Sequence, residues 1–449
     1  MNKFAEKVKL APAQIVLLTF TLLIGAGTLL LALPISVTEG KSLSFVDAFF
    51  MAASATCVTG LATVSLADNF SLVGQLIILI LMQVGGLGYM TLHSTLMILL
   101  GKSLGVKNKL LMQDLMNISS LSELFEMILS VIKYTLVIEF CGALVLAIGF
   151  SFEGFDLGPS IFMGLFHAIS AFCNAGFTLF NNSLESFATN PIMNFTVVTL
   201  IILGGLGFIV LRELELVFIR KKKLRDLGVH SKIVLVTNFA LISLVSAYFF
   251  FSEYLHALSS YNLFEQIQIS IFQAVTTRTA GFNTISLNNL YTHTLYLFCL
   301  VMFIGASPGS TGGGIKTTTF AILFQSVKAT LAGKDRVEFF DRTIPNFLVV
   351  RSIAIIVISL IIVSGFILIM MRTEPEQGFL EIFFEVVSAF ATVGLSLGIT
   401  PYLTSAGKLT LVILMFIGRT GPMTMALAIA QRRSGPNNVE YPSGRVMIG

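Results

Sequence analysis

The chain has 449 residues, of which 55% are hydrophobic and 12% charged, and its mean hydropathy is +0.88. Soluble domains carry about 25% charged residues, so this composition excludes an ordinary soluble enzyme or a nucleic-acid-binding protein and indicates a polytopic membrane protein. The balance of 28 Lys and Arg against 24 Asp and Glu gains meaning only from its placement across a bilayer.

A helix crosses the hydrocarbon core with about 20 apolar residues, so long stretches free of Asp, Glu, Lys and Arg mark candidate spans. The first, residues 15–33, is too long for a cleaved signal peptide and runs into further membrane sequence, so it is expected to stay in the protein. Residues 44–56 follow, an apolar piece too short to cross, ending in the turn Thr56-Cys57-Val58-Thr59-Gly60-Leu61. Span 70–100 carries Gly85-Gly86-Leu87-Gly88. Span 134–152 contains the lone charge Glu139, short segment 159–172 leads into Cys173-Asn174-Ala175-Gly176-Phe177, and span 186–211 carries Gly204-Gly205-Leu206-Gly207. Next come span 233–252, short segment 264–277 with the turn Arg278-Thr279-Ala280-Gly281-Phe282, and a span over 291–320 that holds Lys316. That span is interrupted by Gly305-Ala306-Ser307-Pro308-Gly309-Ser310-Thr311-Gly312-Gly313-Gly314. One proline and five glycines in ten positions break a helix, and at membrane depth the resulting irregular loop is expected to line a pore. Span 352–371, short segment 378–391 with the turn Thr392-Val393-Gly394-Leu395, and span 409–431, cut by Arg419, complete the series.

The turn glycines Gly60, Gly176, Gly281 and Gly394 lie 116, 105 and 113 residues apart, and a second glycine motif recurs 24 to 28 residues after each. Two offsets kept together describe an internal repeat. The expected units are 1–110, 111–225, 226–335 and 336–449, each a span, a half-helix, a turn and a second span. The expected fold class is an all-α polytopic membrane protein whose eight transmembrane helices surround a central ion pathway. For the second glycine motif a plainer reading stands beside this one, in which small residues let helices pack closely. The turns argue for more. Non-helical backbone at membrane depth is tolerated where it is buried in protein or lines water. Glycine reaches positive φ without a Cβ clash, so successive carbonyls can face inward and replace the water shell of a cation, helped by the partly negative C-terminal ends of the half-helices. Residues 56–60, 173–176, 278–281 and 392–394 are therefore candidates for a cation selectivity filter.

With these spans in place, 21 of the 28 basic residues fall on one side, including Lys3, Lys7, Lys9 and those within 102–109, 212–232, 328–351 and 432–445. Lys41, Arg372 and Lys408 lie on the other, so both termini are expected in the cytoplasm. Lys133, Arg278, Lys316 and Arg419 remain at membrane depth, where a charge needs a partner or a purpose. Arg278, at the end of a half-helix, is expected to offset the last carbonyls and hold the turn in shape. Lys316 either serves the loop or snorkels to the surface. Glu139 either pairs with Lys133 or faces another helix. His167 reads as a packed side chain, and Cys57, Cys141, Cys173 and Cys299 as packing residues, because neither type shows ligand spacing. Gly312-Gly313-Gly314-Ile315-Lys316-Thr317 imitates the end of a phosphate loop but lies within a span, and no nucleophile-base constellation occurs, so neither an ATP-driven pump nor an enzyme is expected, nor a cofactor in this chain.

On these turns and their flanks the chain resembles the Trk/Ktr/HKT superfamily of cation transporters, and within it the bacterial Ktr-type membrane subunit, over essentially its whole length. The residues that carry the resemblance are Ser54 to Leu61, Phe166 to Phe177, Arg278 to Asn283, Thr392 to Leu395 and the run Phe416-Ile417-Gly418-Arg419. The resemblance implies four span-loop-span units around one pathway, a homodimer in the bacterial inner membrane, filter glycines at Gly60, Gly176, Gly281 and Gly394, an intramembrane gating loop over 305–316, and Arg419 as an electrostatic barrier below the filter. Hydrogen bonds from Arg419 to loop carbonyls are a compatible role. A serine in place of the first filter glycine often goes with sodium preference in this superfamily, so Gly60 implies potassium as the transported ion, with sodium a candidate regulator. The resemblance also implies a separate cytoplasmic nucleotide-binding ring, docked on the basic stretches 220–225 and 334–342 and the tail from Arg432. Those stretches fit anionic membrane lipid equally well. The main alternative function is a symporter coupling a cation to an organic solute; a non-conducting assembly or sensor subunit is a third.

Overall fold

The computed structural model describes residues 12–88, 121–218, 223–422 and 424–425. Within them the chain is almost wholly helical, with one small hairpin in which Glu338–Phe339 pairs antiparallel with Arg342–Thr343. Apart from short helical turns, the helices in order are α1 (Pro12–Leu31), α2 (Phe45–Cys57), α3 (Leu72–Leu87), α4 (Leu121–Phe152), α5 (Leu157–Phe172), α6 (Pro191–Leu206), α7 (Phe208–Phe218), α8 (Val229–Glu253), α9 (Leu263–Thr276), α10 (Thr292–Phe303), α11 (Thr317–Leu331), α12 (Asn346–Thr373), α13 (Phe379–Ala391) and α14 (Ser405–Thr420).

Local chemistry sets these boundaries. The side chains of Ser44, Ser71, Asn190, Asn262 and Thr404 each accept a hydrogen bond from a backbone N–H in the first turn of the helix that follows, satisfying a donor with no intrahelical partner. Asn262 and Glu265 form a reciprocal capping box at the start of α9. Among the described residues, α8, α12 and the part of α4 from Ile128 to Phe152 are long and apolar enough to cross a membrane. On α12 side chains such as Ile361 and Leu368 remain about two-thirds exposed, as expected for a surface that meets lipid.

The second spans depart from the sequence reading, which breaks the third of them alone. Residues 186–211 were expected to run through unbroken, yet α6 and α7 meet at a bend of 109°. Gly207 sits between them at φ 94, outside helical backbone. Gly88 and Gly421 end α3 and α14 in the same way, at φ 77 and 88. Residues 89–100 of the expected span 70–100, and 423 and 426–431 of the expected span 409–431, lie outside the described residues, as do Lys3, Lys7, Lys9, the 102–109 cluster, 220–222 and the tail from Arg432.

Packing closes into a circle. α2 lies between α1 and α3, α5 between α4 and α6, and α13 between α12 and α14. In addition α3 packs on α5, α6 on α9, α10 on α13, and α14 returns to α2. Absent side chains permit three of the close approaches: a Cβ at Gly85, Gly204 or Gly418 would overlap the carbonyl oxygen of Thr56, Phe172 or Phe390, which ends a short helix. Gly418→Val is therefore expected to destabilise the protein by about 1–3 kcal/mol through overpacking. Gly365→Val, at a glycine with nothing within 4 Å, serves as the control. Recovery of the monodisperse folded peak on size exclusion after stepwise heating in detergent reads the difference; equal midpoints for the two variants would refute it.

Candidate functional site

The short helices α2, α5, α9 and α13 end in one recurring backbone conformation. Two residues before each turn glycine the chain is left-handed, with φ 57 at Val58, 57 at Asn174, 73 at Thr279 and 52 at Thr392. The glycines follow at φ 93 for Gly60, 70 for Gly176, 81 for Gly281 and 90 for Gly394. A left-handed β-branched residue costs about 1–2 kcal/mol, so something must hold Val58, Thr279 and Thr392 there. Hydroxyls provide part of the restraint. Ser54 and Ser388 accept from the N–H of Gly60 and Gly394 at 3.2 and 3.1 Å. Ser170 and Thr276 donate to the carbonyls of Phe177 and Phe282 at 2.7 and 2.5 Å. The sequence reading passed over these positioning residues, although a hydroxyl five or six residues ahead of every turn glycine was there to be found.

The turns interlock. A Cβ on Gly60 would overlap the Ala175 carbonyl and come within 3.1 Å of Gly176 Cα; one on Gly176 would lie 2.6 Å from the Ala280 carbonyl and 3.0 Å from Gly281 Cα. One on Gly281 would overlap the Val393 carbonyl, and one on Gly394 the Thr59 carbonyl, with Gly60 Cα at 3.0 Å. Each glycine thus faces the next turn, and the fourth faces the first. The ring lies at the floor of a vestibule of about 560 Å³ lined by all four glycines, by Ser and Asn side chains, and by one charged residue, Glu185. Partial burial raises the Glu185 carboxyl above its usual pKa, opposed by a hydrogen bond from Asn283.

Buried polar atoms without a partner gather at these turns: Oγ1 of Thr56, Thr59, Thr279 and Thr392, and Oδ1 of Asn174. Such groups are costly unless something satisfies them, and oxygens alone suit a hard cation. No cluster of His, Cys, Asp and Glu suited to a resident metal ion occurs among the described residues.

Directly beneath runs the irregular stretch 304–316 between α10 and α11, closed at its base by a bridge between Ile304 and Ile315. Its tip presses on the turns. Thr311 donates from Oγ1 to the Phe172 carbonyl at 2.9 Å and accepts from Asn174 Nδ2 at 3.1 Å. A Cβ on Gly312 or Gly313 would overlap Oγ1 of Thr279 or Thr392, so the loop backbone lies against two further turns. The neighbouring bend helps to hold it: the N–H groups of Ser307 and Thr311 donate to the carbonyls of Gly205 and Gly204 at 3.0 and 3.2 Å, and Phe208 N–H donates to the Gly309 carbonyl at 2.9 Å.

Three of the four cations expected at depth serve this loop. Arg419, on α14, donates to the carbonyls of Thr311, Gly85 and Gly86, the last at 3.0 Å. Lys316 Nζ donates to the Gly312 carbonyl at 2.7 Å rather than reaching for the surface. Arg278 is bonded to Asn238 Oδ1 and, at 3.2 Å, to the Gly305 carbonyl, so its guanidinium ties the end of α9 to the loop and to α8. Asn238, which nothing in the sequence marked, also donates to Ser307 Oγ at 3.3 Å. Glu139 does not pair with Lys133. It accepts from Gln83 Nε2 on α3 at 3.1 Å, whereas Lys133 pairs with Glu215 at 2.7 Å. His167 is packed, with Nδ1 at 2.8 Å from the Met163 carbonyl and its ring stacked on Phe180.

Residues 10–441 match the family model described as TrkH, cation transport protein. The chain is 39% identical to the Ktr system potassium uptake protein B of Bacillus subtilis, over 100% of this chain and 99% of that one. It is 37% identical to the potassium/sodium uptake protein NtpJ of Enterococcus hirae, over 100% and 99%, and 36% identical to the Ktr system potassium uptake protein B of Vibrio alginolyticus, over 99% and 96%. Among solved structures, that of the potassium transporter TrkH from Vibrio parahaemolyticus superposes with a TM-score of 0.72, at 19% identity, over 95% of this chain and 86% of that one. At that identity the superposition speaks for the fold.

Proposed function

This chain belongs to the TrkH family of cation transport proteins, and from that membership we propose that it is the ion-translocating membrane subunit of a potassium uptake system. Cations pass passively down their electrochemical gradient from the vestibule through the ring of glycine turns, where backbone carbonyls and the threonine hydroxyls replace water. Four units, contributing eight membrane-crossing segments, surround this one pathway. The observation that carries the reading is the closed ring itself, four turns in contact at the floor of an open vestibule with unpartnered oxygens gathered on them. The loop 304–316 is the gate and Arg419 its clasp. The subunit works as a homodimer in the cell membrane with both termini cytoplasmic, under a nucleotide-binding ring on the cytoplasmic side, and sodium acts as a regulator of uptake. Relatives named for potassium and sodium uptake do not favour the alternative of cation-coupled transport of an organic solute.

The test is flux into liposomes holding the purified full chain. Potassium is expected to enter faster than sodium, and a bulky organic cation to be excluded, with rates that follow the imposed gradient and need no co-solute. Entry of the organic cation, or absence of any inorganic cation flux even after the loop is shortened across Gly309 to Gly314, would refute the proposal.

A further inference from the structure

The vestibule above the ring is polar but nearly without charge. Of the described side chains that line it, Glu185 alone is ionisable. Its position is set by the segment leaving the third ring glycine. Asn283, two residues after Gly281, donates from Nδ2 to Glu185 Oε1 at 2.7 Å. Its backbone N–H donates to Ser183 Oγ at 3.1 Å, and its carbonyl accepts from the N–H of Leu184 at 3.0 Å. Hydrogen bonds running in both directions make the 183–185 segment and the third turn one body, so the carboxylate keeps its place relative to the ring. Oε1 is engaged by Asn283, and Oε2 has no protein donor among the described residues.

We propose that Glu185 forms an outer waiting site for a hydrated monovalent cation, which raises the cation concentration at the face of the ring. This inference rests on the reading of the ring as the ion pathway. A fixed charge in a concave wall focuses its field into the cavity and raises the local counter-ion concentration. With no opposing charge lining the vestibule, one substitution removes that local field. Because the Debye length is about 10 Å at 0.1 M salt, an effect acting across the vestibule must fade as ionic strength rises. The nearby rim carboxylate of Asp68 is engaged differently, accepting from Asn181 Nδ2 at 3.0 Å, and Asp68 does not line the vestibule.

Glu185→Gln keeps an acceptor oxygen for Asn283 and removes the charge, which separates electrostatics from bracing. Potassium uptake into liposomes would be measured against external potassium, at low ionic strength and again in about 0.5 M of an impermeant salt. The expected result for Glu185→Gln is a half-saturation raised about threefold to tenfold at low ionic strength, returning close to the parent value in high salt, with the change falling on half-saturation rather than on maximal flux. Glu185→Asp, which keeps the charge, should stay near the parent, and Asp68→Asn should shift half-saturation less than Glu185→Gln. A Glu185→Gln curve that overlays the parent at low ionic strength, or a shift that high salt leaves untouched, overturns the outer site while the pathway reading stands. Absence of potassium flux from both the parent and the loop-shortened chain overturns both.

Discussion

Gly60→Ser is expected to lower the preference for potassium over sodium at least tenfold in liposome flux. The backbone at Gly60 has φ 93, where a side chain costs about 1–2 kcal/mol. A Cβ there would also overlap the Ala175 carbonyl and approach Gly176 Cα to 3.1 Å, both on the adjoining turn. Neither atom is the flexible end of a side chain, so the ring has to part between its first and second turns. A tenfold change in preference needs about 1.4 kcal/mol of differential free energy between the two ions, within reach of a small shift in oxygens that must replace a water shell. Gly40 gives the control. It has φ 79 with nothing within 4 Å, so Gly40→Ser carries the backbone strain without the intrusion. If Gly60→Ser selects as Gly40→Ser does, the contact between turns has no bearing on selectivity.

The second large effect belongs to Arg419. Its guanidinium holds carbonyls from two places at once, Thr311 at the tip of the loop and Gly85 and Gly86 at the end of α3. Arg419→Gln is expected to raise potassium flux in the absence of any cytoplasmic partner about tenfold or more, while leaving the preference over sodium intact, since the ring above is untouched. Removing residues 309–314 should raise the flux further. Arg419→Lys distinguishes clasp from barrier. Lysine keeps the charge but cannot reproduce a fork of donors spread over three carbonyls. A clasp predicts that Arg419→Lys leaks nearly as much as Arg419→Gln, and a purely electrostatic barrier predicts that it stays shut. Unchanged flux in the loop deletion would remove the gate reading altogether.

Much of this was open to a reader of the residues. The short helices begin and end within about two positions of the expected segments, because apolar runs bounded by Ser44, Asn262 and the turn glycines leave little choice. The loop at 305–314 was equally plain from its proline and glycines. The bend at Gly207 was not, since Gly-Gly-Leu-Gly inside an apolar run reads as a packing stripe, and only the backbone angle separates a tolerated glycine from one that breaks the helix. The interlocking of the turns was hidden for a different reason. The carbonyl that forbids a side chain on Gly60 belongs to Ala175, and no local pattern announces a steric limit set over a hundred residues away. Asn238 and Glu185 were silent because neither belongs to a glycine motif that recurs along the chain, and their partners Arg278 and Asn283 lie 40 and 98 residues away.

The contact of Gly394 with Thr59 joins the last turn to the first. A ribosome that has made the first three turns has made an open cradle, and the missing side arrives when most of the chain has already been inserted. On the proposed pathway reading, the ring therefore stays open on one side until the last quarter of the chain is made. A chain cut before residue 394 would keep three glycine turns and an unsealed flank.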